Sequence, residues 1–171
     1  MATKILVVYA SRYGSTREVA EAVGEVLAGR GPGVEVEVTP AKEAGDSIDI
    51  ASYAMVVIGS PVYAGKWLGD ALLFVKKHAG ALQEVSVAIF STGLAMTEDT
   101  PENREKMAEA AQDVTDLVAP VATGMFAGKL IYDNLNLPMR LMIKAMKAPE
   151  GDFRDWDAIR SWAQGLPLPP G

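Results

Sequence analysis

The sequence predicts an α/β protein built on a five-stranded parallel sheet in the order 2-1-3-4-5, with helices on both faces as a three-layer sandwich. Three observations predict it. Short apolar runs alternate with longer amphipathic stretches, the pattern of repeated strand–helix units joined by right-handed crossovers. The runs ILVVY from Ile5, AMVVIG from Ala54 and VSVAIF from Val85 are nearly apolar throughout, as strands covered on both faces must be. VEVEVT from Val34 alternates strictly instead, which suits a half-exposed edge strand with Glu35 and Glu37 on the wet side.

Taken in order, strands are expected at Lys4–Tyr9, Val34–Thr39, Met55–Gly59, Val85–Ser91 and Val121–Phe126. The first helix, Thr16–Ala28, places Val19, Val23, Val26 and Leu27 on one face and stops at Gly29 and Gly31. A second, Trp67–His78, stops at Gly80. Thr100, Pro101 and Glu102 read as an N-cap, a first-position proline and a first-turn acid. The helix they open should bury Met107, Ala111, Val114 and Leu117 or Val118. Asp155 caps the last helix, which packs Trp156, Ile159, Ala163 and Leu166. Nothing divides the chain: one domain is expected over residues 1–166, carrying an insert at about 129–150 before the last helix. The Pro-rich tail, residues 167–171, should be coil.

Composition narrows the function. At 171 residues, 49% hydrophobic and 22% charged, the chain has the make-up of an ordinary globular protein. It has no cysteine and one histidine, which excludes disulfides, thiol chemistry and a conventional zinc site; no metal is expected. A net charge of −6 argues against nucleic acid, whose binding needs a cationic surface. The apolar run before Arg12 is too short for a signal peptide, and no segment is long enough to span a bilayer. A cytoplasmic location is expected.

In such sheets ligands bind beyond the carboxyl ends of the strands, at the switch point between strands 1 and 3. The loops to inspect are therefore Ala10–Thr16, Ser60–Trp67 and Ser91–Thr97. The first, within YASRYGSTR, lies where a helix start offers unpaired N–H groups to an anion. Ser11, Ser15 and Thr16 add hydroxyls and Gly14 permits a tight bend, although Ser15 or Thr16 could equally cap the helix. Neither the G-x-x-x-x-G-K-[ST] nor the G-x-G-x-x-G fingerprint is present, so a phosphomonoester fits better than a triphosphate or dinucleotide. GSPVYAGKW, Gly59–Trp67, presents Tyr63 and Trp67 beside two glycines, and STGLAMT, Ser91–Thr97, offers small residues and open backbone. One loop for a phosphate and two for a flat, polar-edged ring describe a site for flavin mononucleotide, FMN, with FAD as the alternative.

With YASRYGSTREVAEAV, VVIGSPVYAGKW, VAIFSTG and MFAGKL…LPMRLMIKAM…DWDAIRSWA in view, the chain resembles flavodoxin-like proteins over nearly its whole length. More narrowly, it resembles the menaquinone-dependent protoporphyrinogen oxidase subfamily. The resemblance implies that Ser11, Arg12, Tyr13, Gly14, Ser15 and Thr16 wrap the FMN phosphate. It implies that Pro61, Val62, Tyr63, Ala64 and Gly65, with Ser91, Thr92, Gly93 and Leu94, flank the isoalloxazine ring. The implied activity is electron transfer between the flavin and a quinone or porphyrinogen-type substrate, with no side-chain catalyst. A flavodoxin-type carrier serving a redox protein is the alternative. Two departures favour the enzyme: Tyr13 stands where carriers usually have threonine, and the third loop offers Leu94 and Met96 in place of a stacking aromatic.

Other candidates have plainer explanations. His78 belongs to a helix C-terminus, and Asp152, Asp155 and Asp157 match no calcium loop. Lys129 is read as a surface charge. A receiver domain of the same strand order would need acids where Tyr9–Ala10–Ser11 and Gly59–Ser60 stand, and is rejected; a flavin-free interaction module would keep the fold without the colour. One segment remains, LPMRLMIKAMK, Leu137–Lys147. Met139, Met142, Ile143 and Met146 share one helical face and Arg140, Lys144 and Lys147 the neighbouring one. Residues 129–147 carry +3 and the rest of the chain −9. The stripe either packs on the core, faces an apolar substrate beside the flavin, or makes weak peripheral contact with the inner face of an anionic membrane.

Overall fold

The computed structural model describes residues 2–170. Its main sheet contains β1 (Thr3–Tyr9), β2 (Val34–Pro40), β3 (Met55–Tyr63), β5 (Ser86–Gly93) and β6 (Ala122–Ala127), all parallel, in the order β2-β1-β3-β5-β6. Counting the parallel strands alone, this is the expected 2-1-3-4-5. β4 (Lys66–Trp67) is a short antiparallel extension on β3.

The period of two along the central strands divides the core between the faces of the sheet. Ile5, Val7, Met55 and Val57 point towards α1 (Ser15–Ala28) and α6 (Trp156–Gln164), where Val19, Val23, Leu27, Ile159 and Ala163 meet them. Leu6, Val8, Val56 and Ile58 point the other way, onto Phe74 and Val75 of α2 (Gly69–Leu82) and onto Val114 and Val118. The eight strand residues have no exposed surface. Each buried aliphatic side chain stabilises the fold by about 1.5–3 kcal/mol over leaving it in water. β2 alternates as expected for an edge, with Glu35 and Glu37 outside.

Several boundaries differ from the sequence reading. β3 does not end at Gly59 but runs on to Tyr63 and turns back through Ala64 and Gly65 into β4. Trp67 is therefore a strand residue, not a helix start. α2 begins at Gly69 and passes through Gly80 to Leu82. A helical glycine costs about 1 kcal/mol relative to alanine, less than the fully buried Leu82 contributes by anchoring the last turn. The helix capped by Thr100, whose hydroxyl accepts from the Asn103 N–H at 3.1 Å, is broken at Ala111. α3 (Pro101–Ala110) sends Met107 to a small cluster with Met96 and Ala127, while α4 (Gln112–Thr115) sends Val114 to the large core. The two halves serve different clusters and need different directions.

The insert has its own organisation. β7 (Lys129–Leu130) and β8 (Gly151–Asp152) form an antiparallel clasp at its base, and α5 (Leu137–Ala145) stands between them. Asn136 caps α5, accepting from the Met139 N–H at 2.9 Å, and Pro138 sits in its first turn. Asp155 caps α6 by accepting from the Ala158 N–H at 3.0 Å.

Candidate functional site

The first loop is a strand-to-helix turn with an open end. Gly14 is the residue before α1 and adopts φ +89°, a left-handed conformation that side chains resist. No side chain caps α1. The Ser11 hydroxyl accepts instead from the Gly14 N–H at 3.0 Å, which shapes the turn and leaves the helix's first N–H groups to an outside acceptor. Arg12 and Arg17, with Lys42, surround a shallow cleft of about 250 Å³ beside this loop, and Ser11 and Gly14 line it too. Uncapped amides, hydroxyls and three cations, against the single acid Asp70 on the same cleft, make a surface suited to an anion.

The second loop is the β3–β4 hairpin. Ala64 (φ +50°) and Gly65 (φ +73°) are both left-handed, as a two-residue hairpin turn requires. The turn projects Tyr63 beside the first loop. Its ring receives the Arg12 guanidinium at 4.9 Å and meets Tyr13 edge-on at 6.5 Å. Burial pushes the Tyr63 phenol above its ordinary range, reinforced by Tyr13 and opposed by Arg12. The ring is therefore a neutral, half-buried wall at physiological pH.

Thr92 and Gly93, at the end of β5, and Leu94 make the third side, with Met107 of α3 behind them. α5 lines the fourth: Met139 and Ile143 face inward and Met146, 69% exposed, borders the mouth, while Leu137, Leu141 and Lys144 stand on the opposite face of the helix. Arg140 and Lys144 both turn back to the base of the insert, Lys144 with its Nζ 5.2 Å over the Tyr132 ring. Arg140 Nε donates to the Tyr132 carbonyl and its Nη2 to that of Leu135, both at 3.1 Å, fastening the helix to its own base. The cleft between them has a volume of about 510 Å³, within the range of small-molecule sites, and is mostly apolar, with Lys106 and Lys129 among its lining residues.

Most of the residues singled out from the sequence converge here. Arg12, Tyr13 and Ser15 join Pro61, Val62, Tyr63, Ala64, Gly65, Thr92, Gly93 and Leu94 on the wall of the larger cleft. Two lie behind it. Ser91 is buried and its hydroxyl accepts from the Trp67 indole at 2.8 Å, and Thr16 is buried with its hydroxyl on that of Thr92. Trp67 is likewise a core residue, 6% exposed, behind the cleft. Sequence reasoning missed Lys106, Met107, Leu130 and Leu135 as lining residues. Met107 carried only the signal of a core position, and Lys129 that of a surface charge.

The residues present fit FMN. A turn with uncapped helix amides and cations opens beside a mostly apolar cleft lined by Ala64, Gly65, Gly93 and Leu94 among others. Among the described residues no cluster of three or more His, Asp or Glu side chains could hold a metal ion, and no helix is long and apolar enough to cross a membrane.

A three-loop cleft of this kind at the switch point of a 2-1-3-4-5 sheet defines a flavin-binding α/β protein. The family model described as the flavodoxin domain matches residues 6–157, and the chain belongs to that family. FMN is its cofactor and flavin-based electron transfer its chemistry. Among curated proteins, it is 27% identical to the Leishmania major protein named protoporphyrinogen IX dehydrogenase (quinone), over 96% of this chain and 76% of that one. The Escherichia coli K12 protein of the same name is 26% identical, over 95% and 94%. Among solved structures, two-electron reduced Megasphaera elsdenii flavodoxin aligns with a TM-score of 0.58 at 17% identity, over 95% of this chain and 99% of that one. Oxidised flavodoxin 2 from Bacillus cereus aligns with a TM-score of 0.57 at 20% identity, over 94% and 95%.

Proposed function

We propose that the protein is an FMN-dependent oxidoreductase that passes electrons between the flavin and a quinone or porphyrinogen-type substrate. The observation that carries this reading is α5. The helix turns Met139 and Ile143 onto the cleft and sets Met146 at its mouth. Soft, unbranched methionines suit a variable apolar ligand. The names of the Leishmania and E. coli relatives support the same substrate class.

The loop from Ser11 to Thr16 would hold the phosphate, through its backbone N–H groups and the Ser11 and Ser15 hydroxyls, with Arg12 and Arg17 supplying charge. Tyr63, Ala64 and Gly65 on one side and Thr92, Gly93 and Leu94 on the other would clasp the ring. Bound FMN supplies the redox chemistry at its ring. The chain's part is to orient that ring, to exclude water with Val62, Met107 and α5, and to leave room for a second flat molecule. No side-chain acid or base is needed at the reacting atoms.

The outer ridge of α5, Leu137 and Leu141 with Lys144, would rest weakly on the anionic inner face of a membrane, where lipophilic quinones reside. Such contact would be salt-sensitive, and sedimentation with anionic but not zwitterionic vesicles tests it. The function itself is tested by reducing the flavin anaerobically and following its reoxidation by a panel of quinones. Rapid reoxidation by naphthoquinones of the menaquinone type is the expected result. Reoxidation only by redox proteins, with every quinone inert, would favour the electron-carrier reading.

A further inference from the structure

Arg154 lies outside the cleft, two residues past the strand that closes the insert. Its side chain is 4% exposed, a rare position for a cation. The guanidinium forks onto Asp152, Nε to Oδ1 at 2.8 Å and Nη2 to Oδ2 at 2.7 Å, and packs over the Trp156 ring at 4.7 Å. That pairing alone would satisfy the charge. The remaining arm reaches much farther along the chain: Nη1 donates to the Ser15 carbonyl at 3.2 Å and lies 3.6 Å from Glu18 Oε1. Ser15 is the residue at which the phosphate loop becomes α1.

On its other side Arg154 is bonded into the insert. Asp152 belongs to β8, paired with β7 through Lys129. The Glu150 carboxylate accepts from the Tyr132 N–H at 3.0 Å, and Tyr132 and Leu135 hold Arg140 of α5 through their carbonyls. Hydrogen bonds on either side of the short backbone step from Asp152 to Glu150 thus join the lid of the cleft to the start of the phosphate-loop helix. Arg154 is the link that crosses between them.

We propose that Arg154 is a positioning residue that couples the two halves of the site, so that an anion in the phosphate loop and α5 seated over the cleft favour one another. The inference rests on the assignment of Ser11–Thr16 to the FMN phosphate. Coupling of this kind is reciprocal: whatever steadies Ser15 steadies the lid, and the reverse. Neutralising Arg154 also leaves Asp152 and Glu18 without the cation they share, which loosens the hold of β8 on α1.

The test compares parent protein, Arg154→Gln and Arg154→Lys in three measurements: FMN affinity, riboflavin affinity, and amide exchange across residues 137–147. In the parent, FMN should bind more tightly than riboflavin and protect α5 more strongly. Arg154→Gln should weaken FMN about tenfold, leave riboflavin unchanged and abolish the extra protection. Arg154→Lys keeps the charge but cannot fork onto Asp152 and reach Ser15 together, and should lose the protection as well. If the glutamine variant does not fold, Asp152→Asn loosens the same fork and should give the same pattern. An FMN preference and α5 protection that survive Arg154→Gln would overturn the coupling alone, as would equal losses for both flavins. Equal affinities in the parent would overturn the phosphate-loop assignment beneath it.

Discussion

The hydroxyls of Thr16 and Thr92 lie 3.0 Å apart, both buried, joining the first turn of α1 to the end of β5 across 76 residues of chain. Each satisfies the other, so two of the three loops are held in register by one hydrogen bond. Thr16→Val and Thr92→Val, which keep the shape, should each destabilise the fold by about 1 kcal/mol because each leaves a buried hydroxyl unpaired. The double variant should lose less than the sum of the two. Urea unfolding of the four proteins measures this, and strictly additive losses would show that the hydroxyls do not depend on each other.

Tyr53 gives the fold an alkaline limit. Burial, with a hydrogen bond from its hydroxyl to Glu37 Oε2 at 2.6 Å, raises its phenol from 10.0 to about 12. A folded pKa above the unfolded one favours the protonated, folded form. The stabilisation is complete below pH 10 and is lost as pH rises towards 12, on the order of 2 kcal/mol in all. Tyr53→Phe should flatten the dependence of the urea midpoint between pH 9 and about 11.5. A variant with the parent's slope would assign the loss to other groups.

Two glycines should respond oppositely to alanine. A Cβ at Gly59 would lie 2.0 Å from the Phe90 ring, inside the packed sheet, and the ring has nowhere to go. Gly59→Ala should cost at least about 1–3 kcal/mol by overpacking. Gly80, within α2, has open space around it, and Gly80→Ala should stabilise by about 0.5–1 kcal/mol. Thermal unfolding separates the two signs.

The lid has two distinguishable faces. Ile143→Ser, on the inner face, should weaken riboflavin binding several-fold by making the cleft around the ring less apolar. Leu141→Ser, on the outer face and 60% exposed, should leave it unchanged. Fluorescence titration of apo-protein reads both. Equal affinities for the two variants would mean that α5 does not face the ring.

The sheet was legible because its strands are locally explicit: apolar runs in the centre, alternation at the edge. What was not legible depended on partners far along the chain. Ser91 and Thr16 look like loop hydroxyls until Trp67 and Thr92 are placed beside them. The methionine stripe of α5 was visible, but its division was not. Met139 and Ile143 turn to the cleft, whereas Met142 is left half-exposed, because the clasp of β7 and β8 and the anchoring of Arg140 set the helix's rotation. Ala64 gave no sign of its positive φ, since only the closing pair Tyr63 and Lys66 makes the turn a hairpin.

The central claim is that the cleft between the three loops and α5 holds the flavin. Nitrogen-15 chemical-shift mapping of apo-protein titrated with FMN tests it most directly. The largest shifts should fall at residues 11–17, 62–66 and 92–95, with a second set at 139–146 as the lid settles. Shifts centred instead on the open groove between β6 and α6, around Thr123 and Ser161, would contradict the account.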